Sequence, residues 1–184
     1  MSRILELIRG FPGHPSHPPL TDASIGAYTV GVAMLVVGAA GVETAAMAHG
    51  ALLAISGGLI LALPTALTGL IDWLRIPSGT PTKTVATVHL LTMLSATALF
   101  ALTWLLQRPG YNHGHILTRT WIVGLIAEGV LAVGGYIGGT IVFVYGERVE
   151  GRRDAAVGEA LRPNARAASG SSAQPGSAYQ GQTE

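Results

Sequence analysis

Four stretches of the chain run apolar with almost no interruption: Ile25 to Val42, Gly50 to Ile71, Thr84 to Leu106 and Thr120 to Tyr145. At a rise of about 1.5 Å per residue, each helix would cross most or all of a hydrocarbon layer about 30 Å thick. The second stretch holds no ionisable residue, the third only His89, and the fourth only Glu128 in its interior. A helix lying on a soluble core shows one polar face, and these show none. The pattern predicts an all-α polytopic membrane protein, an antiparallel four-transmembrane-helix bundle with spans at about 24–46, 49–71, 84–106 and 119–145.

The connections follow from the same pattern. The first, around Ala46 to His49, is short enough to force an antiparallel hairpin, while Asp72 to Lys83 and Gln107 to Arg119 are longer and rich in Pro and Gly. Pro64 removes one backbone donor inside the second span and predicts a kink there. The segment Phe11 to Pro19 has no regular period and reads as extended or turn-rich. The membrane domain therefore covers 1–149. The remainder, 150–184, is polar and ends in Ser, Gly, Ala, Gln and Pro, which predicts a largely disordered cytoplasmic tail.

Composition agrees with this picture and removes several function classes. The 184 residues are 49% apolar and 11% charged, about half the charge of an ordinary soluble domain. Eleven Lys and Arg against ten Asp and Glu leave a formal charge of +1, without the excess that a nucleic-acid surface needs. The absence of cysteine excludes disulfides, iron–sulfur clusters, zinc thiolates and covalent c-type haem. Arg3, Glu6 and Arg9 break the N-terminal ten residues, so no signal-peptide core forms there and the first span is expected to stay in the mature protein.

With four spans both termini share a side with the Asp72 to Lys83 loop. That side carries Arg3, Arg9, Arg75, Lys83, Arg148, Arg152, Arg153, Arg162 and Arg166, and the other only Arg108 and Arg119. The imbalance predicts a multi-pass membrane protein with both termini cytoplasmic. Small residues predict close helix packing. Gly134, Gly135, Gly138 and Gly139 form two overlapping Gly-x-x-x-Gly pairs, which would serve packing within the chain, self-association, or contact with another membrane protein.

Polar groups near the ends of the spans are the candidate chemistry. His89 opens span three, Asp72 ends span two, Glu147 follows span four, and His14 and His17 precede span one, all on the side of the termini. A pair of neutral imidazoles, His17 and His89, would bind b-type haem, with Asp72 as the acceptor that fixes a ring tautomer. His17, His89 and Glu147 would instead suit a divalent metal. The plainer alternative makes His89 a helix clamp on Asp72 or a backbone carbonyl, and Asp72-Trp73-Leu74-Arg75 an interfacial anchor with an Asp72 to Arg75 pair. Toward the other side, Glu128, Glu43 and His49 would form a cation or proton cluster, or simply clamp the helices. His113 and His115 read as surface residues. No catalytic motif is present, whether His-Glu-x-x-His, Gly-x-Ser-x-Gly or a phosphate loop, and no inverted repeat with broken helices stands out.

The segments His17-Pro18-Pro19-Leu20, Ala66-Leu67-Thr68-Gly69-Leu70-Ile71-Asp72-Trp73, His89, Gly134-Gly135-Tyr136-Ile137-Gly138-Gly139 and Tyr145-Gly146-Glu147-Arg148-Val149 occur in this order. In order and spacing the chain resembles the DUF2231 family of predicted bacterial membrane proteins, small four-helix proteins of unassigned function. The resemblance covers roughly residues 17 to 149 and implies family positions at His17, Gly69, Asp72, His89, Gly135 and Gly146. It departs in a second His-Pro pair, His14-Pro15, ahead of the first, and it favours the His17, Asp72 and His89 set over the Glu128 set. Three readings result: a haem- or metal-binding membrane protein for electron transfer or assembly; a structural or partner-binding subunit without cofactor; and a small proton or cation pathway.

Overall fold

A computed structural model describes residues 8–11, 13–149 and 156–161. A two-residue strand β1 (Gly10–Phe11) pairs antiparallel with β2 (His14–Pro15), and four long helices follow: α1 (His17–Ala39), α2 (Thr44–Arg75), α3 (Pro81–His113) and α4 (Thr118–Phe143). A four-residue helix, α5 (Val157–Ala160), lies beyond them. The expected tail over 150–184 falls mostly outside the described residues. Each of α1 to α4 is long and apolar enough to cross a membrane. Large apolar side chains point away from the bundle, among them Leu63 at 73% and Phe143 at 87% exposure, as suits a surface solvated by lipid tails.

The helices start and stop at residues whose chemistry suits each end. Pro18 and Pro19 lie in the first turn of α1, where a missing backbone donor costs nothing and a fixed φ favours the helix. The helix thus begins at His17, and the segment expected to be extended or turn-rich through Pro19 is helical in its last three residues. The first turn occupies residues 40–43 rather than 46–49, because Gly41 (φ 93°) and Glu43 (φ 44°) reverse the chain in left-handed conformations. The Thr44 hydroxyl donates to the Gly38 carbonyl at 2.9 Å and closes this turn. At the next connection Thr80 accepts from the Lys83 amide at 3.1 Å and Pro81 opens α3, a standard N-cap arrangement. Gly114 ends α3 with φ 62°, and the His115 amide returns to the Gly110 carbonyl. α2 continues through Pro64, whose carbonyl accepts from the Thr68 hydroxyl.

The core consists of Tyr28, Val32 and Leu35 from α1, Ala51 and Ile55 from α2, Ala96 and Phe100 from α3, and Ala127 and Leu131 from α4. It repeats itself. Buried positions Ser24, Tyr28, Gly31, Leu35 and Gly38 of α1 correspond, 72 residues on, to buried Ala96, Phe100, Thr103, Gln107 and Gly110 of α3. Buried Ala51, Ile55, Gly58 and Thr65 of α2 correspond, 69 residues on, to buried Thr120, Gly124, Ala127 and Gly134 of α4. The bundle is thus two similar α-hairpins, α1–α2 and α3–α4. The sequence pattern predicts no inverted repeat, and the repeat present is a parallel one, two units of the same topology side by side.

Candidate functional site

Toward the end of the bundle that carries the described termini, the two hairpins enclose a cavity of about 750 Å³, within the size range of small-molecule sites. Most of its wall is apolar, with His17, Asp72, His89 and Arg148 among the polar groups. The two histidines are held in matched ways, each by its own hairpin. His17, at the start of α1, has Nδ1 at 3.0 Å from the Thr65 carbonyl of α2, with the Thr68 hydroxyl at 3.3 Å. His89, near the start of α3, has Nδ1 at 2.9 Å from the Gly134 carbonyl of α4. A carbonyl accepts only, so each Nδ1 carries the proton and each Nε2 keeps its lone pair. Neither Nε2 has a hydrogen-bond partner among the described residues.

A glycine lies under each ring. A Cβ on Gly69 would come within 2.7 Å of His17 Cε1, and one on Gly138 within 2.9 Å of His89 Cε1. In both hairpins the glycine stands four residues after the carbonyl that holds the ring, Thr65 then Gly69 and Gly134 then Gly138. The missing side chain lets the imidazole lie against the helix backbone, and the carbonyl one turn earlier fixes its rotation. Gly134 itself packs against Met93. Gly135 and Gly139 line the cavity; a Cβ on the first would meet nothing within 4 Å, and one on the second only Phe143.

Asp72 serves a different neighbour from the one expected. It does not reach a histidine, and its partners are Arg9, through Nε, and Arg148, through Nη1 at 3.3 Å, with no pair to Arg75. Arg148 also donates from Nη2 to the carbonyls of Arg9, Gly10 and Phe11 at 3.2 to 3.4 Å. Its φ of 61° turns the chain back over the site. Burial lowers the Arg148 pKa and the adjacent Asp72 raises it again; a guanidinium keeps its charge throughout. The Arg9–Asp72–Arg148 clasp therefore ties the strand pair and the end of α4 to the end of α2, across the mouth of the cavity.

The other candidates fall out differently. His14 sits on β2 and lines the cavity, while His17 occupies the pinned position. Glu147 lines the cavity as well, but among the described residues no three His, Asp or Glu side chains gather closely enough to hold a metal ion. The three-ligand set His17, His89 and Glu147 is therefore not assembled. Nor is the set Glu128, Glu43 and His49. Glu128 accepts from the Thr29 hydroxyl at 2.8 Å, His49 Nε2 bonds the Tyr111 carbonyl at 2.6 Å, and Glu43 stands exposed in the first turn. His113 and His115 lie near each other, ring centroids 5.9 Å apart.

Sequence reasoning missed the seats of the two rings, the Arg9 contact and the hairpin repeat. A signal for the repeat was present: His17, Tyr28 and Gly38 have the same spacing as His89, Phe100 and Gly110, a histidine, an aromatic eleven residues on and a glycine ten further. No curated protein and no solved structure matches the chain. A family model described as "Predicted membrane protein (DUF2231)" matches residues 13–151, most of the chain and all four spanning helices. The chain belongs to this family of membrane proteins.

Proposed function

We propose that the protein binds one b-type haem between its two hairpins, with Nε2 of His17 and Nε2 of His89 as the nitrogens that would hold its iron, and serves electron transfer or assembly in the membrane. The observation that carries this reading is the matched presentation of the two imidazoles: Nδ1 engaged by a carbonyl, Nε2 without a partner among the described residues, and both rings on the wall of one cavity. A histidine that ligates a metal normally donates its other N–H to a carbonyl or carboxylate, which fixes the tautomer and raises the basicity of the ligating nitrogen. Beside the His89 ring, which covers Gly138, the glycines Gly135 and Gly139 leave bare backbone on the cavity wall, which suits a flat ring. Arg148, at the mouth, supplies a cation for acidic substituents. Bound haem would supply a one-electron couple; the protein's part is ligation, orientation and a low-dielectric surround.

We further propose a bacterial inner-membrane location with both termini cytoplasmic; the Lys and Arg imbalance between the two sides supports this orientation. The site then lies near the cytoplasmic face.

The test is the visible spectrum of the full chain, purified in detergent from cells supplied with haem, oxidised and then reduced. A Soret band and sharpened reduced bands are expected, lost in His17→Ala and in His89→Ala while both variants elute as folded protein. Colourless wild-type protein, with no haem on extraction, sinks the proposal and leaves a subunit whose polar groups clamp helices.

A further inference from the structure

The hairpin repeat separates what the fold requires from what this chain has added. Where α1 meets α4, the Thr29 hydroxyl donates to Glu128 Oε1 at 2.8 Å. The equivalent positions on the seam between α3 and α2 are Ala101 and Leu59, so small and apolar residues suffice to pack that place. A carboxyl on one seam therefore needs a reason other than packing.

Its depth makes the reason chemical. Glu128 is ten residues from the start of α4 and fifteen from its end, about 15 Å and 22 Å by helical rise, well inside the hydrocarbon layer. Thr29 is exposed on the outer surface of the bundle, which here means to lipid. Oε2 is buried and has no hydrogen-bond partner among the described residues. Nor does a cation among them face the site. On α1, Asp22 is seven residues from Thr29, and Tyr28 turns inward to stack on Phe100. On α4 the nearest charge is Arg119, nine residues away; α2 carries no ionisable group between His49 and Asp72; and on α3 Lys83 lies over Trp73, Arg108 lies over Trp104 and His89 is bound to Gly134. An ionised carboxylate with one hydroxyl donor is costly in hydrocarbon. A metal cation is no remedy, since hard cations take about six oxygen ligands and only two residues supply oxygen here.

We propose that Glu128 is a proton-binding site within the membrane, on the α1–α4 seam, where Oε2 holds the proton, Thr29 holds Oε1, and the exchange path opens between the two hairpins. The ligand is the proton alone. The site is distinct from the haem reading and stands whether or not the cavity holds a cofactor.

The test uses the full chain in lipid vesicles, treated with a lipid-soluble carbodiimide, which reacts with carboxylic acids in apolar surroundings, and in parallel with a water-soluble one. Peptide mass spectrometry should find the adduct of the lipid-soluble reagent at Glu128, formed more slowly as pH rises, with the water-soluble reagent confined to carboxyls at the ends of the helices. Infrared spectra should show a protonated-carboxyl band that Glu128→Gln removes; Glu128→Gln keeps the Thr29 hydrogen bond and so the fold. Thr29→Val should change the pH dependence of labelling without abolishing it. Labelling of Glu128 by the water-soluble reagent at an equal rate, or an infrared carboxyl band unchanged in Glu128→Gln, overturns the proposal.

Discussion

Tyr28 and Phe100 stack face to face, ring centroids 3.9 Å apart and planes 5° from parallel. They stand eleven residues after His17 and His89 respectively, at equivalent places in the two hairpins. The contact thus lies where one hairpin meets its counterpart, just inward of the cavity, and it sets how closely the two hairpins approach. Gly58 makes room for it, since a Cβ there would press on the Tyr28 ring.

Phe100 is wholly buried, and Phe100→Ala should cost about 3–5 kcal/mol, the usual effect of removing a large core side chain. Tyr28→Phe should change stability by no more than about 1 kcal/mol, because the buried Tyr28 hydroxyl has only the Thr97 hydroxyl beside it and makes no well-formed hydrogen bond among the described residues. Thermal unfolding in detergent checks both; a large loss in Tyr28→Phe would mean that the hydroxyl bonds Thr97 strongly.

The glycine seats make a paired prediction. Gly69→Ala and Gly138→Ala should each push a ring away from its carbonyl, with a cost of about 1–3 kcal/mol from overpacking. On the haem reading, either change should also lower haem content or alter the reduced spectrum. Gly57→Ala and Gly129→Ala serve as controls, since nothing lies within 4 Å of either position and the better helix propensity of Ala should add up to about 1 kcal/mol. Equal effects in seats and controls would remove the ring-seating argument.

How much of this is readable in the sequence follows from physical constraint. The four spans are legible because hydrocarbon permits so few polar residues that the pattern has little freedom. The first turn lies several residues from its expected place because Ala45, Ala46 and Met47 are as compatible with helix as with a connection, and the reversal rests on backbone conformation at Gly41 and Glu43. The sequence singles out His17, Asp72 and His89, and all three line one cavity; His89 meets a backbone carbonyl, one of its two expected partners, while Asp72 reaches neither histidine nor Arg75. The acceptors for both rings are backbone carbonyls, and a carbonyl has no signature in the sequence. Asp72 pairs with Arg9 and Arg148 rather than a histidine, and these are 63 and 76 residues away from it, separations over which sequence alone carries no contact information.

Asp72→Asn should loosen the mouth of the cavity. It removes the charge that Arg9 and Arg148 share, at a cost of about 1.5–3 kcal/mol for hydrogen bonds to a charged group that is only part-buried. The strand pair depends on that clasp, so protease cleavage within residues 8–16 should accelerate in the variant while the spans stay protected. Unchanged cleavage would show that the carbonyl contacts of Arg148 hold the segment without Asp72.

Membrane orientation can be read without background, because the chain contains no cysteine. Ser78 and Asn112 are exposed at opposite ends of α3. In intact cells stripped of the outer membrane, Asn112→Cys should react with an impermeant maleimide, and Ser78→Cys should react only after permeabilisation. The reverse pattern would put the termini and the His17–His89 cavity on the outer face.

Glu43 tests whether the first turn is structural. Its φ of 44° is left-handed, a region that costs an L-residue roughly 1–2 kcal/mol, and its side chain is exposed and makes no cap bond. Glycine would remove that strain and lose about 0.5–1 kcal/mol of it again to the greater freedom of the unfolded chain. Glu43→Gly should therefore melt at or slightly above the wild-type temperature, whereas Glu43→Val, β-branched and poorly suited to a positive φ, should melt lower. A residue held for cation or proton chemistry would behave otherwise. Glu43→Gly and Glu43→Val would then share a functional loss that does not follow their stabilities, and Glu43→Gln would show it too.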